Sequence, residues 1–158
     1  NLLRHCENSF DIMRNLSKED AEHRLKEAYS RQKAAFLLYT KSGYDLLVSK
    51  LSAVPENLLA GSESLRSLDV SILHSLVFEK IMGIDKENMA KQINLTYTRS
   101  EQEAAKAVDS GAAQCAFILN PTRVEEIKNV ALDGEKMPQK STYFYPKLIT
   151  GLVMNGLE

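Results

Sequence analysis

Cysteine is scarce in this chain. Cys6 and Cys115 are the two present and lie far apart, too few for the disulfide framework of a small secreted domain. With His5, His23 and His74 they show no metal-ligand spacing, which excludes a structural zinc site. A charge excess is missing too, since 20 Lys and Arg stand against 21 Asp and Glu for a net charge of −1. Nucleic acid and anionic membranes both want a basic excess, so neither is an expected partner. The longest apolar runs, Ala34 to Tyr39 and Leu148 to Met154, fall far below the ~20 residues of a spanning helix. No charged and apolar leader opens the chain, so nothing argues for secretion. The glycosylation patterns at Asn15-Leu16-Ser17 and Asn94-Leu95-Thr96 therefore read as chance. Unpaired thiols fit a cytoplasmic location.

What is present is an ordinary globular composition. At 44% apolar and 26% charged residues, disorder is not expected. The 158 residues make a single domain, 1–158, that buries roughly two-thirds of its unfolded surface. A chain opening at Asn1 without methionine reads as part of a longer protein.

The elements follow from pattern. Phe10 to Met13 is a short strand. Ser17 is an N-cap with Asp20 at the capping-box position, and Lys18 to Gln32 is a surface helix with Ala21, Leu25, Ala28 and Tyr29 on its buried stripe. Ala34 to Thr40 and Tyr44 to Leu51 form a hairpin joined by Lys41-Ser42-Gly43, the glycine supplying positive φ. A polar loop with one helical turn covers Ser52 to Ser67. Asp69 caps a central buried helix, Val70 to Met82, which Gly83 ends and which carries His74 on its flank. Ile93 to Thr98 alternates like a strand, and Ser100 with Glu103 opens a helix to Asp109. Gln114 to Leu119 is a buried strand that includes Cys115 as a small core residue. Asn120-Pro121 is the N-cap and N1 pair of a helix to Leu132, and Leu148 to Leu157 is a last strand. The expected class is α+β (mixed α/β). It has one mixed sheet, with an antiparallel hairpin and a β-α-β-α-β second half, and helices packed on it.

Chemistry concentrates between Met137 and Lys147. This run gathers lysines, hydroxyls, consecutive aromatics and bracketing prolines, a mixture amphipathic packing rarely asks for. Gly134 to Ser141 matches a phosphate loop except at Gln139, where the second glycine should stand, and neither strand before nor helix after fits. A looser anion site remains: Lys140 and Lys147 as cations, Ser141 and Thr142 as donors, Tyr143 and Tyr145 as walls. In a straight strand Lys140 and Thr142 face one way and Ser141, Tyr143, Tyr145 and Lys147 the other, so a bend near Pro146 is required. The alternative is an edge strand with solvated lysines. The helix opening at Asn120 and Thr122 offers amides and a positive dipole end to the same anion. Arg123 is either part of that site or a plain cap paired with Glu126, and His74 is either a site residue or a hydrogen-bonded boundary histidine. Nothing recommends a hydrolase. Glu101, Glu103 and Glu135 are acids without an assignable partner.

Phe117-Ile118-Leu119-Asn120-Pro121-Thr122, the turn Gly134-Glu135-Lys136-Met137-Pro138, and Lys140 to Leu148 with Thr150-Gly151-Leu152 carry a likeness. So do Leu68-Asp69-Val70, Leu73-His74 and Gly83-Ile84. Together they resemble, across essentially the whole chain, the C-terminal part of the bacterial and archaeal domain-of-unknown-function family numbered 1015. The resemblance implies a cytoplasmic protein of several hundred residues whose N-terminal part precedes this chain. It brings no activity. Members have been labelled similar to chromosome-partitioning ParB-like proteins, a superfamily that also holds nucleotide-using serine kinases, and are encoded near serine-biosynthesis enzymes.

Two functions are expected on these grounds. The first is binding of a phosphate-bearing small metabolite or nucleotide, with phosphoryl transfer in the full-length protein and, there, a nucleotide with Mg²⁺ as cofactor. The second is a non-catalytic docking or regulatory domain that packs against the preceding part of the same chain or another subunit.

Overall fold

The structure is a computed structural model and describes residues 2–138, 141 and 142. Among the described residues four antiparallel strands form one sheet in the order β1-β3-β2-β4: β1 Phe10–Leu16, β2 Ala35–Thr40, β3 Gly43–Ser49 and β4 Ala116–Leu119. The α+β class holds. The pairing differs from the mixed sheet expected, because β4 runs antiparallel to β2, matching Phe36 with Leu119 and Tyr39 with Ala116. That expectation needed a strand at Ile93 to Thr98 feeding a crossover, and this stretch is irregular. Its alternation has a different cause: Leu95 and Tyr97 turn inward while Ile93 is exposed, with no strand pairing to it among the described residues. The last strand expected at Leu148 to Leu157 lies outside the described residues.

Alternation along β2 builds a core on each side of the sheet. Ala35 and Leu37 join Tyr44 and Leu46 under Ala21, Leu25 and Ala28 of α2, Lys18–Ser30. Phe36, Leu38 and Leu47 face the other way, against Ile72, Leu73, Leu76, Val77 and Phe78. A central strand covered on both faces reads as a continuous apolar run, which is why Phe36-Leu37-Leu38 shows no polar alternation. Edge-to-face rings tie the second core together, Phe10 to Phe36 at 5.3 Å, Phe36 to Phe117 at 6.0 Å and Phe117 to Phe78 at 5.4 Å. Such geometry opposes the negative face of one ring to the positive edge of the next.

Local signals mostly act as expected. The Ser17 hydroxyl accepts from the Asp20 amide, and Ser100 accepts from Glu103 to open α6, Glu101–Asp109. The hairpin turns at Lys41-Ser42, with Gly43 at φ +115°, a conformation β-branched or bulky residues avoid. Short helices occupy Leu2–Cys6 (α1) and Glu63–Arg66 (α3). An unforeseen helix, α5 at Lys86–Lys91, is capped by Asp85, which accepts from the Asn88 amide.

The central helix departs most from expectation. Leu68, and not Asp69, is its N-cap. It winds as an α-helix over Asp69–Ile72 (α4) and then as a π-helix over Leu73–Glu79. Amides of Lys80 and Met82 reach back five residues, to Ser75 and Val77, at 3.2 and 2.8 Å. The last helix, α7, spans Val124–Leu132. Its N-cap is Arg123, so Asn120-Pro121 is not the cap and N1 pair.

Candidate functional site

The loop before α7 and the segment after it meet. Thr122 Oγ1 donates to the Ser141 carbonyl at 3.0 Å, and Ser141 Oγ donates to the Pro138 carbonyl at 2.6 Å. Both hydroxyls are thus engaged by main chain, and Thr142 is half-buried beside them. Asn120 is held elsewhere, its amide donating to the Leu25 carbonyl at 3.1 Å. Lys140, Tyr143, Tyr145 and Lys147 lie outside the described residues.

Arg123 is committed to the fold. Its guanidinium pairs with Glu126 Oε1 at 2.7 Å, lies 3.9 Å from the Tyr29 ring centre, and donates to the Tyr29 carbonyl. Glu126 Oε2 accepts the Arg123 amide at 2.8 Å, so the helix's own carboxylate sits at its positive end, where the dipole favours an anion. Asp69 is close enough to feel this pair. Burial, then the Glu126 charge, pushes its carboxyl up to about 7, against the opposing pull of Arg123 and of the Ala35 amide.

His74 leads to a different place. It lies on the π-helix, stacked on Phe78 at 5.4 Å with Tyr97 edge-on at 6.5 Å. It lines a cavity of about 300 Å³ together with Ser71, Ser75 and Glu79 from the same helix, Lys86 of α5, and Tyr97. Leu59, Leu65, Met89 and Ala90 supply an apolar wall, and Lys136 and Pro138 close it from the far end of the chain. π-Helical turns are rare and concentrate at functional sites, because the extra residue per turn spoils packing that must be offset elsewhere. This one displays His74, Ser75 and Glu79.

Ser71 is the unusual member. It is 3% exposed, and its hydroxyl makes no hydrogen bond among the described residues. A buried hydroxyl without a partner costs about 1–3 kcal/mol, a cost an acceptor in the cavity would remove. Burial lowers the His74 pKa and raises that of Tyr97. The imidazole is therefore neutral at pH 7, with one donor and one acceptor nitrogen, and the phenol keeps its proton. Lys86 and Lys136 on the rim outnumber Glu79, so the opening favours an anion.

Among the described residues no set of three or more His, Cys, Asp or Glu side chains is arranged to hold a metal ion, and no helix is long and apolar enough to cross a membrane. The residues that sequence reasoning passed over are Ser71, Ser75, Glu79, Lys86 and Tyr97. Ser71 and Ser75, one turn apart among Ile72, Leu73, Leu76 and Val77, are the signal that was available: two hydroxyls inside an apolar stripe. The geometry therefore defines an α+β domain with a partly apolar, cation-rimmed cavity on a π-helix. Comparisons with protein-family models, with curated proteins and with solved structures found no match to this chain.

Proposed function

We propose that the domain binds a phosphate-bearing small metabolite or nucleotide in the cavity beneath the π-helix. The observation that carries this reading is the buried Ser71 hydroxyl, unpartnered among the described residues, in a cavity whose mouth holds Lys86 and Lys136. An aromatic or apolar body fits the wall of Leu59, Leu65 and Met89 and the rings of His74 and Tyr97. A phosphate at the mouth takes charge-assisted hydrogen bonds from the lysines. A volume of about 300 Å³ lies at the small end of ligand sites and suits one compact molecule. In the longer protein expected from the sequence, phosphoryl transfer with Mg²⁺ is the reaction this ligand class suggests, and the resemblance to family 1015 leans the same way.

Thermal shift with AMP, Mg-ATP, phosphoserine and inorganic phosphate tests the reading. A ligand at a hundredfold its dissociation constant adds about 2.7 kcal/mol, or about 5–10 °C for a chain of this size. The shift is expected to shrink in Lys86→Ala and Lys136→Ala, both exposed and safe for folding, and, on sequence grounds, in Lys140→Ala. No shift from any of the four, or one untouched by these changes, overturns the proposal. A docking module is the second reading, favoured by Val124 and Leu132 of α7, each 73% exposed. It predicts self-association or binding to the rest of a longer chain, lost in Val124→Ser with Leu132→Ser.

A further inference from the structure

A second cavity, of about 640 Å³, opens on the π-helix face of the sheet, between Leu2 and Leu3 of α1, Arg14 and Asn15 of β1, Asp45 of β3, and Cys115. It shares no residue with the cavity beneath the π-helix. A carboxylate lines it: Asp45 is 8% exposed, on the interior strand β3 opposite Leu38. The β1–β3 register shifts between Met13 and Leu16, leaving Arg14 and Asn15 out of the ladder. Asn15 takes the left-handed conformation, φ 55°, and its amide donates to Asp45 Oδ1 at 3.0 Å. Bulges commonly re-aim groups beside functional sites. No salt bridge reaches Asp45 among the described residues. A carboxylate has about four acceptor directions; the Asn15 amide takes one of them, and a cation in the cavity would take others.

Opposite charge waits at the mouth. Arg14 is 43% exposed and paired with Glu7, itself 54% exposed, a surface pair weak enough to exchange for another carboxylate. We propose that this cavity binds a zwitterionic α-amino acid with an apolar side chain. Asp45 receives the ammonium, Arg14 receives the carboxylate, and Leu2, Leu3 and Cys115 cover the side chain.

Isothermal titration of the 158-residue chain with L-leucine, 4-methylpentanoate and 3-methylbutylamine tests this. Leucine should bind at least about tenfold more tightly than either analogue, since each lacks one charge-assisted contact. Asp45→Asn, which keeps the shape and still accepts the Asn15 amide, should weaken leucine by a similar factor, as should Arg14→Gln. Lys86→Ala should leave leucine binding unchanged, which separates this site from the phosphate site. No leucine binding, an amine that binds as well as leucine, or leucine binding indifferent to Arg14→Gln overturns the proposal. Arg14 lies at the surface, so its substitution remains decisive even if Asp45→Asn fails to fold.

Discussion

Ser71 and His74 stand three residues apart on one helix, on either side of the point where α-helical winding passes into π-helical winding, and both line the same cavity. In an unbroken α-helix this spacing would put both on one packed face. Here the wider winding begins between them, and the face they share borders space instead of core.

Ser71→Ala separates folding from binding. Removing a buried hydroxyl that has no partner among the described residues should leave the fold unchanged or more stable by up to about 1–2 kcal/mol. Urea denaturation checks this. A loss of stability would mean that the hydroxyl has a partner in the folded chain after all, and the case for a ligand there would fall.

Asp69 should give the chain an unusual pH dependence. Its carboxyl is raised from an ordinary 3.8 to about 7, so the folded state holds a proton that the unfolded state releases. Stability from this group is complete below pH ~4 and is lost as pH rises to about 7, on the order of 4 kcal/mol in all. His74 acts oppositely, since burial lowers its pKa from 6.5 and stability falls as acid protonates it in the unfolded chain. The clean readout is therefore wild type minus Asp69→Asn in chemical denaturation from pH 4 to 8. A flat difference contradicts the placement of Asp69 beside Glu126.

Arg123 holds α7 against α2. Truncation to Ala leaves Glu126 facing Asp69 without a cation and removes the contact over Tyr29, and it should cost about 2 kcal/mol or more. Lysine should restore only part, because it lacks the planar fork that meets Glu126 and the Tyr29 carbonyl together. Full rescue by Arg123→Lys would show that charge alone matters.

Gly61 sits at φ +130°, and an added Cβ would come within 2.9 Å of the Leu65 side chain and 3.0 Å of Glu135 Oε1. That oxygen accepts the Ser62 amide at 2.9 Å, joining the loop before α3 to the chain beyond α7. Gly61→Ala should destabilise by more than about 1 kcal/mol. Glu135→Ala in the same background should relieve part of the clash while losing the amide bond, so the two changes should not add.

Local chemistry was legible in the residues, and distant pairing was not. Ser17, Ser100 and Gly43 act within three or four residues, so cap and turn rules reached them directly. The hairpin followed from two β-rich runs joined by a short loop ending in Gly43, whereas burial of β2 on both faces had no alternation to announce it. The acids failed for want of range: Glu135 meets Ser62, Glu101 meets Lys18 at 3.2 Å, and only Glu103, held by Thr98 at 2.6 Å, has a near neighbour. Alternation at Ile93 to Thr98 misled because a stretch lying over a core alternates whether or not a strand pairs with it. The π-helix has no sequence signature beyond an apolar stripe too wide for an α-helical face, and Ile72 and Leu76 beside Leu73 and Val77 gave that hint. Arg123 illustrates the ambiguity of a cation at a helix start, which Glu126 and Tyr29 together resolve.

Amide chemical-shift mapping with AMP and with phosphoserine bears most directly on the cavity as a ligand site. The account predicts that the perturbed amides gather at Ser71, His74, Ser75, Lys86 and Lys136, with Asp45 and Arg14 undisturbed. Shifts scattered over the surface, gathered at the exposed face of α7, or absent with both probes would contradict it.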